Sequence, residues 1–295
     1  MGFLYLYGMV MSSDSIRLCG KYPEADGYGE IYARNYAIGG ETGTAAAILA
    51  AMGCAVRLAG SHTGHRNDSV IRGYFTDKGV DLSELVYDAA FTGVEDMILI
   101  AEATRTVFGE FGKHFSGGLS WVEAPCEASV ADCDAVGCDP FFGDEIARLC
   151  VKHSKPYAVI DCRHDSYFNR NCAVNAISHE FILSNYIGLS YADALGLYTA
   201  ETDGLVIITL GENGMLYGRR GQVQKTMPAF PVKVESTLGA GDSFKAGTIF
   251  ALANGFDDDR LVEFAAATAA YSCAHYPISK NPATLAGVVQ IIAGK

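Results

Sequence analysis

Short, continuously apolar segments that alternate with helical patterns constrain the fold of this chain more than any other feature. The apolar segments are Tyr157–Asp161, Phe181–Ser184 and Leu205–Leu210, and helical patterns such as Gly143–His153 and Tyr191–Thr199 alternate with them. Continuous apolar strands are typical of parallel sheets, because helices cover both faces of such sheets. This part of the chain therefore predicts an α/β fold with a parallel sheet.

Two stretches of the first half depart from that alternation. Ile16–Tyr36 is rich in Gly, Tyr and charge, whereas Thr92–Phe108 has the pattern of two short strands joined by a turn. A first strand is predicted over Phe3–Met11. We expect one α/β domain over residues 1–295, with a small β-sheet lid formed by segments of about 14–37 and 90–112.

Composition and charge exclude several classes of protein. Apolar residues make up 49% and charged residues 19% of the 295 residues, which suits a large buried core and excludes disorder. The net charge is −12 without a block of five or more Lys or Arg, so we expect neither nucleic acid nor an anionic membrane as a partner. No apolar run approaches the roughly 20 residues of a membrane span. Nine cysteines without a C-x-x-C pair are typical of reduced thiols, and a cytoplasmic location is expected.

Two motifs for nucleotide binding are incomplete. Gly109–Lys113 has the wrong spacing for a P-loop, and His114 stands where that loop needs Ser or Thr. Gly239 and Gly241 begin a dinucleotide fingerprint, but Phe244 replaces its third glycine. The sequence therefore indicates neither a P-loop nor a Rossmann-type dinucleotide site.

The strongest chemical signal is the run Ser236-Thr-Leu-Gly-Ala-Gly-Asp242. An apolar run of mostly small residues, Ser243–Ala253, follows it, and this order is typical of a loop that enters a buried helix. The three residues before Asp242 would then present unpaired backbone N–H groups to an anion at the helix N-terminus. Asp242 could accept a hydroxyl proton as a phosphoryl group is transferred. The alternative is a helix-capping carboxylate without a chemical role.

A family resemblance covers nearly the whole chain in order. Thr237-Leu-Gly-Ala-Gly-Asp-Ser-Phe resembles the second signature of the PfkB/ribokinase family of carbohydrate kinases, and Gly39-Gly-Glu-Thr-Gly-Thr44 through Gly53 resembles the first. Further matches are Thr209-Leu-Gly-Glu-Asn-Gly214, Gly79-Val-Asp81, Thr92-Gly93 with Arg105-Thr106, and the opening Gly8 to Pro23. Four separate matches in register make the capping-only interpretation of Asp242 unattractive.

The resemblance implies a fold and an activity. The fold is a ribokinase-like three-layer α/β sandwich with a mostly parallel central sheet and a small β-sheet lid. The activity is ATP-dependent phosphorylation of a hydroxymethyl group on a sugar or sugar-like small molecule, with Mg2+ as the accompanying ion.

The resemblance also implies roles for matching positions. Asp242 would be the base, and the anion hole would consist of Gly239, Ala240 and Gly241. The residues expected to bind the substrate are Asp14, Gly39, Gly40, Glu41, Thr44 and Arg105. The residues expected to bind ATP are Asn185, Thr209, Gly211, Gly214 and Thr237.

Four departures from the family pattern affect the expected cofactors and substrate. Ser236 stands where the family has an Asp that helps to form a monovalent-cation site, so dependence on potassium is doubtful. Gly188 replaces the Glu of a motif linked to magnesium, so we expect ATP phosphates and waters to hold most of the Mg2+. Thr44 replaces an Asn of the sugar pocket, and Glu41 replaces a Lys.

The carboxylate of Glu41 leads to a hypothesis about the substrate. Facing the ligand, it would favour polyhydroxyl groups or a cationic substituent and disfavour an acidic or phosphorylated sugar. The alternative is a solvated carboxylate outside the pocket. The lid run Arg105–Phe111 resembles that of fructosamine-type kinases, so a ketose or an amino-bearing sugar conjugate is the hypothetical substrate.

Two alternative functions stay open at this point. A nucleoside kinase would use the same fold, and the 16 Tyr and 15 Phe residues could supply a stacking pocket. A non-catalytic protein that senses sugars or nucleotides would explain the departures at Ser236 and Gly188. The family resemblance also implies a homodimer formed through the lid.

Overall fold

Two β-sheets organise the part of the chain that the computed structural model describes, residues 2–102 and 104–294. The strands are β1 (Leu4–Gly8), β2 (Met11–Leu18), β3 (Ile31–Gly39), β4 (Val56–Gly60), β5 (Val80–Glu84), β6 (Glu95–Ala101), β7 (Thr104–Gly109), β8 (Ala135–Cys138), β9 (Tyr157–Ile160), β10 (Val174–Ser178), β11 (Leu205–Thr209), β12 (Met215–Gly218) and β13 (Lys225–Met227). The helices are α1 (Glu41–Ala51), α2 (Asp68–Phe75), α3 (Phe111–Ser116), α4 (Glu127–Asp132), α5 (Glu145–Lys152), α6 (Tyr167–Asn171), α7 (His179–Asn185), α8 (Tyr191–Thr199), α9 (Ala240–Ala253), α10 (Asp258–Ala274) and α11 (Leu285–Ala293).

The larger sheet has nine strands in the order β13-β12-β11-β10-β9-β8-β1-β4-β5. Strand β12 is antiparallel to both neighbours, whereas the other pairs are parallel. In β1, Leu4 and Leu6 pack into a core with residues of α1, α9 and α10, while Tyr5 and Tyr7 pack on the opposite face with residues of α5. The predicted three-layer α/β fold with a mostly parallel sheet is confirmed.

The smaller sheet has four strands in the order β3-β2-β6-β7, and both segments expected in the lid contribute strands to it. Strand β2 is antiparallel to β3 and parallel to β6, and Ser13 lies between Ala37 and Asp96 in this register. Since successive side chains alternate between the faces of a strand, Ser13 and Ser15 share one face of β2 and Asp14 lies on the other. The predicted small sheet is confirmed.

Helix α9 packs closely against α1 and α10. A Cβ atom on Gly247 of α9 would lie 2.8 Å from Cα of Ala265 in α10, so the two backbones meet without an intervening side chain. This close packing explains the small residues that follow Asp242. It brings the N-terminus of α9 beside the N-terminus of α1.

Two predicted strands differ from the structure. Phe181–Ser184 lies in α7, because the hydroxyl of Ser178 accepts a hydrogen bond from the backbone N–H of Phe181 and caps a helix there. The strand of this region, β10, ends at Ser178. The predicted first strand, Phe3–Met11, is also two elements, since β1 ends at Gly8 and β2 begins at Met11. Val10 and Met11 are as buried as β1, so the apolar pattern of the sequence did not indicate the break between the two strands.

Two expectations concern contacts beyond the chain. Within residues 2–102 and 104–294, no helix combines the length and the apolar character needed to cross a membrane. The homodimer through the small sheet stays a prediction. Tyr32 and Phe108 on that sheet are 71% and 50% exposed, so apolar surface is present there for such a contact.

Candidate active site

The loop before α9 places Asp242 in the first turn of a largely buried helix. Gly239 has φ +75°, a left-handed conformation that glycine adopts without strain, and it turns the chain into α9. A Cβ atom on Gly239 would lie 2.5 Å from Cδ1 of Ile278, whereas a Cβ on Gly241 would meet nothing within 4 Å. Open space therefore lies beside Gly241 at the N-terminus of the helix, where backbone N–H groups attract anions.

A cavity of about 190 Å³ opens between the small sheet and the N-termini of α1 and α9. Ser13, Asp96 and Ile98 line it from the small sheet, and the segment 276–279 lines another side. The cavity brings together six of the residues expected from the sequence, which are Gly39, Gly40, Glu41, Thr44, Gly239 and Asp242.

The glycine pair before α1 lets the two sheets meet at this cavity. Gly40 has φ +77°, and a Cβ on it would lie 2.7 Å from the carbonyl oxygen of Met9. The hydroxyl of Ser13 occupies the position that a Cβ on Gly39 would take. Both positions therefore leave no room for a Cβ atom, and contact of the two glycines with the substrate stays a prediction.

Asp14 and Arg105 do not line the cavity. The carboxylate of Asp14 accepts a hydrogen bond of 2.7 Å from Nε of Arg34, on the face of β2 opposite Ser13. The alternation of side chains along β2 explains this placement, which keeps the Asp14 side chain away from the cavity lining, so a contact between Asp14 and the substrate stays a prediction. Arg105 instead donates from Nη1 to Oγ1 of Thr237 over 3.3 Å, which puts a cation beside the loop that precedes α9.

Lys245 is a buried residue of the site that the sequence did not indicate. Its side chain is 1% exposed, and its Nζ donates hydrogen bonds to Oε1 of Glu41 and, over 2.7 Å, to the carbonyl oxygen of Cys138. Cys138 is the last residue of β8, so the first turn of α9 lies at the carboxyl ends of the parallel strands. Glu41 lines the cavity, and its carboxylate is paired with Lys245, an ion pair that neither of the two expectations for Glu41 included.

Three carboxylates surround this ammonium group. Removal from water raises the pKa of Asp242, and the charges of Lys245 and Arg105 oppose that rise. Burial likewise raises the pKa values of Glu41 and Asp139, and Lys245 opposes the rise in both. Burial lowers the pKa of Lys245, but the carboxylates of Glu41 and Asp139 outweigh it and hold that pKa above its ordinary value. Lys245 therefore stays charged, and it favours the ionised form of Asp242.

The residues expected to bind ATP fall into two groups. Thr209 ends β11, and Gly211 and Gly214 bound the turn that follows with φ of +59° and +82°. These three lie at the carboxyl edge of the large sheet, where α/β proteins bind ligands. Asn185 does not join them. It is the exposed last residue of α7, and its amide donates to the carbonyl oxygen of Phe181.

Asn185 lies at the end of a helix because the predicted strand Phe181–Ser184 belongs to α7. Register pairs Ser178 of β10 with Thr209 of β11, so Ser178 lies beside Thr209 at the carboxyl ends of these strands. The N–H of Ser178 donates to Oδ1 of Asp161 over 2.7 Å, and Asp161 has φ +48° at the end of β9. In the sequence, Ser178 as a helix-capping residue was the feature that could have indicated the end of β10 and the start of α7.

Sequence comparison links the second half of the chain to a family of known kinases. Residues 190–282 match the profile of the pfkB family carbohydrate kinases. The chain is 30% identical over 139 residues to a ribokinase of Bacillus subtilis and 27% identical over 115 residues to a 5-dehydro-2-deoxygluconokinase of Bacillus licheniformis. The resemblance to the PfkB carbohydrate kinases is confirmed. These matches span 44% and 39% of this chain and 43% and 35% of the two relatives.

The fold is that of the ribokinases over the full length. A protein of Agrobacterium tumefaciens that is assigned as a ribokinase superposes with a TM-score of 0.87, at 17% identity, over 99% of this chain and 98% of the other. The ribokinase of Arabidopsis thaliana, solved with ribose and ATP, has a TM-score of 0.80 at 15% identity over 99% and 98%. A nucleoside kinase of Methanocaldococcus jannaschii has a TM-score of 0.77 at 18% identity over 100% and 99%. At these identities the similarity establishes the fold alone.

Proposed function

We propose that this chain is an ATP-dependent kinase that phosphorylates a hydroxymethyl group of a sugar or sugar-like molecule. One observation supports this most strongly. Asp242 lies at the N-terminus of α9 and faces a cavity that the small sheet covers, beside the open space at Gly241. A carboxylate, an anion-binding helix end and an enclosed cavity are the parts that phosphoryl transfer to an alcohol needs.

In the proposed reaction Asp242 accepts the proton of the substrate hydroxyl. The hydroxyl oxygen then forms a bond to the γ-phosphorus of ATP, and the bond from that phosphorus to the β–γ bridging oxygen breaks, so that ADP leaves with the electron pair. Backbone N–H groups of Gly239, Ala240 and Gly241 would stabilise the charge on the transferred group. Arg105 would support the same charge from the lid, since it already contacts Thr237 in the adjoining loop.

ATP would lie along the carboxyl edge of the large sheet, from the turn after β11 to the loop before α9. Thr209, Gly211 and Gly214 would flank the nucleotide, and Thr237 would lie near its phosphates. The left-handed glycines of this turn give it a tight backbone that a ligand can approach closely.

Magnesium would enter with the nucleotide. Among the described residues, no group of three or more His, Cys, Asp or Glu side chains is placed to hold a metal ion. Mg2+ keeps several waters and binds substrate phosphates readily, so ATP can supply most of its ligands. Coordination of Mg2+ mainly by ATP phosphates and water is compatible with Gly188 in place of the family's Glu.

A coupled assay of ADP release with sugars, amino sugars, sugar acids and nucleosides tests the proposal. We expect ADP release to depend on a sugar that carries a hydroxymethyl group, with a phosphate monoester appearing in the 31P spectrum. A nucleoside as the best acceptor would favour a nucleoside kinase instead. Binding of sugar and ATP without turnover would contradict the enzyme and favour a sensing protein.

A further inference from the structure

The cavity is lined by three acidic side chains and by no Lys, Arg or His among the described residues. Two of the acids already have partners or a proposed role. Glu41 is paired with the ammonium group of Lys245, and Asp242 faces the reacting hydroxyl with Lys245 and Arg105 nearby. The third, Asp96, belongs to strand β6 of the small sheet.

Asp96 has an oxygen that the protein leaves unused. Its Oδ1 is buried and accepts no hydrogen bond from any residue in the described part of the chain. A buried polar atom without a partner costs roughly 1–3 kcal/mol, so such atoms in native proteins usually have a ligand or water as the missing partner. The cavity is the place from which that partner can come, because Asp96 lines it.

The surroundings of Asp96 select the kind of partner. Burial raises the pKa of Asp96 to about 6, and the carboxylates of Asp242 and Asp14 add to the rise. The hydrogen bond with Ser13, its partner in the β2–β6 register, opposes that rise. The groups that act on Asp96 thus include two negative charges and no cation. A second anion would add to this repulsion, while a hydroxyl or an ammonium group would relieve it.

We propose that Asp96, with the hydroxyl of Ser13 beside it, forms a specificity subsite for a hydrogen-bond donor on the substrate. The substrate then spans the cavity, with its hydroxymethyl group at Asp242 and a hydroxyl or amino group at Asp96. It belongs to the neutral or amino-bearing polyols, and sugar acids and sugar phosphates are rejected. The role of this subsite in the reaction rests on the proposed kinase function, whereas binding of a sugar at Asp96 does not depend on it.

The test compares acceptors that share a carbon skeleton and keep the hydroxymethyl group, such as glucose, glucosamine and gluconate, together with the corresponding ribose set. For the unmodified protein, we expect kcat/KM to be at least tenfold lower for the acid than for the neutral or amino-bearing member. Asp96→Asn should lower kcat/KM for the preferred acceptor by about tenfold to a hundredfold, as expected for hydrogen bonds to a charged group. It should also reduce the discrimination against the acid. Glu95→Gln changes the neighbouring carboxylate, which accepts hydrogen bonds from Ser12 and Tyr36, and should leave both values unchanged.

Calorimetric titration of the same acceptors without ATP separates this inference from the proposed function. If no acceptor is phosphorylated but Asp96→Asn weakens sugar binding and relaxes the rejection of the acid, the kinase proposal fails and the subsite stands. If the unmodified protein turns over and Asp96→Asn keeps the same selectivity, the subsite is contradicted. Preference of the unmodified protein for a sugar acid or phosphate would overturn it as well.

Discussion

Lys245 is the residue that the rest of the site depends on electrostatically. A buried ammonium group is costly in free energy unless partners compensate it, and here Glu41, Asp139 and the carbonyl of Cys138 surround it. The carboxylates benefit as well. Without Lys245, the side chains of Glu41, Asp139 and Asp242 would lie together in a poorly solvated site with no buried cation beside them. We infer that Lys245 positions the charge of Asp242 without touching the substrate.

Replacing Lys245 by Met should make the proposed base harder to ionise. Loss of the nearby positive charge raises the pKa of Asp242 further, and only the ionised carboxylate can accept a proton. The acidic limb of the kcat/KM profile should therefore move to higher pH by about one unit or more. A pH series of the kinase assay from pH 5.5 to 9 measures the shift.

The double variant Glu41→Gln with Lys245→Met controls for misfolding. Removing one carboxylate together with the ammonium restores the local charge balance, so the acidic limb should move back towards its original position. An unshifted profile in Lys245→Met, with folded protein by circular dichroism, would show that Lys245 has no electrostatic role.

The sequence predicted part of this residue-level picture. The sequence indicated the positions of Gly239, Gly241 and Asp242, because a glycine-rich loop before a run of small residues is typical of a loop that enters a buried helix. Lys245 was not, since a single lysine on a helix is usually exposed and its partner Glu41 is 204 positions away. The orientation of Asp14 was not predictable either, because the position of the break between β1 and β2 decides which residues of β2 face the cavity.

At the scale of elements, the loop that enters α9 determines the geometry of the proposed anion site. The two glycines of this loop differ in their surroundings. A Cβ atom on Gly239 would collide with Ile278, whereas a Cβ atom on Gly241 would lie in open space. Substitutions at the two positions should therefore separate folding from phosphate binding.

Gly239→Ala should destabilise the protein, and Gly241→Ala should not. Alanine at Gly239 would be strained at φ +75° and would contact Ile278, so we expect a loss of about 1–3 kcal/mol in unfolding free energy. Alanine at Gly241 has a helical backbone and free space, so the melting temperature should hold, but its methyl group would occupy the proposed phosphate position. Chemical denaturation and the KM for ATP measure the two effects. Equal stability of the two variants would contradict the description of the loop.

Elements with a strong periodic pattern were predicted closely, as Tyr191–Thr199 shows, since α8 has the same bounds. The failure at α7 has a local cause. Its apolar run is short, so the pattern fits a buried strand as well as a helix, and the cap at Ser178 decides between them. Pairing of β2 with β6 joins residues more than 80 positions apart, and no local pattern indicates that register.

At the scale of the whole molecule, several carboxylates are held in positions where water is scarce. Burial raises the pKa values of Asp96, Asp139, Asp161 and Asp242 above those of the unfolded chain. At these four positions the folded protein binds more protons than the unfolded chain, so their contribution to stability falls as pH rises above about 4. His114, whose pKa is lowered by burial, acts in the opposite direction below about pH 6.5. Carboxylates with lowered pKa values, such as Asp81 and Asp259, act in the opposite direction, but only below about pH 4.

Burial also raises the pKa of Glu41 to about 8, so this loss of stability continues between pH 6 and pH 8. The ligand-free protein should accordingly melt at a higher temperature at pH 6 than at pH 8. Scanning calorimetry at constant ionic strength measures this difference. Asp96→Asn should reduce it, because this group titrates at about 6 in the folded state. A melting temperature that is constant or rises from pH 6 to pH 8 would contradict the assignment of buried, protonation-prone carboxylates.

The proposed role of Asp242 is that of the base in a phosphoryl transfer between the two sheets. Asp242→Asn keeps the shape of the side chain and removes its ability to accept the proton. With the best acceptor, we predict that kcat falls by about 10²–10⁴-fold, while the melting temperature and the binding of ADP stay close to those of the unmodified protein. Turnover by folded Asp242→Asn protein within a fewfold of the unmodified rate would contradict this role.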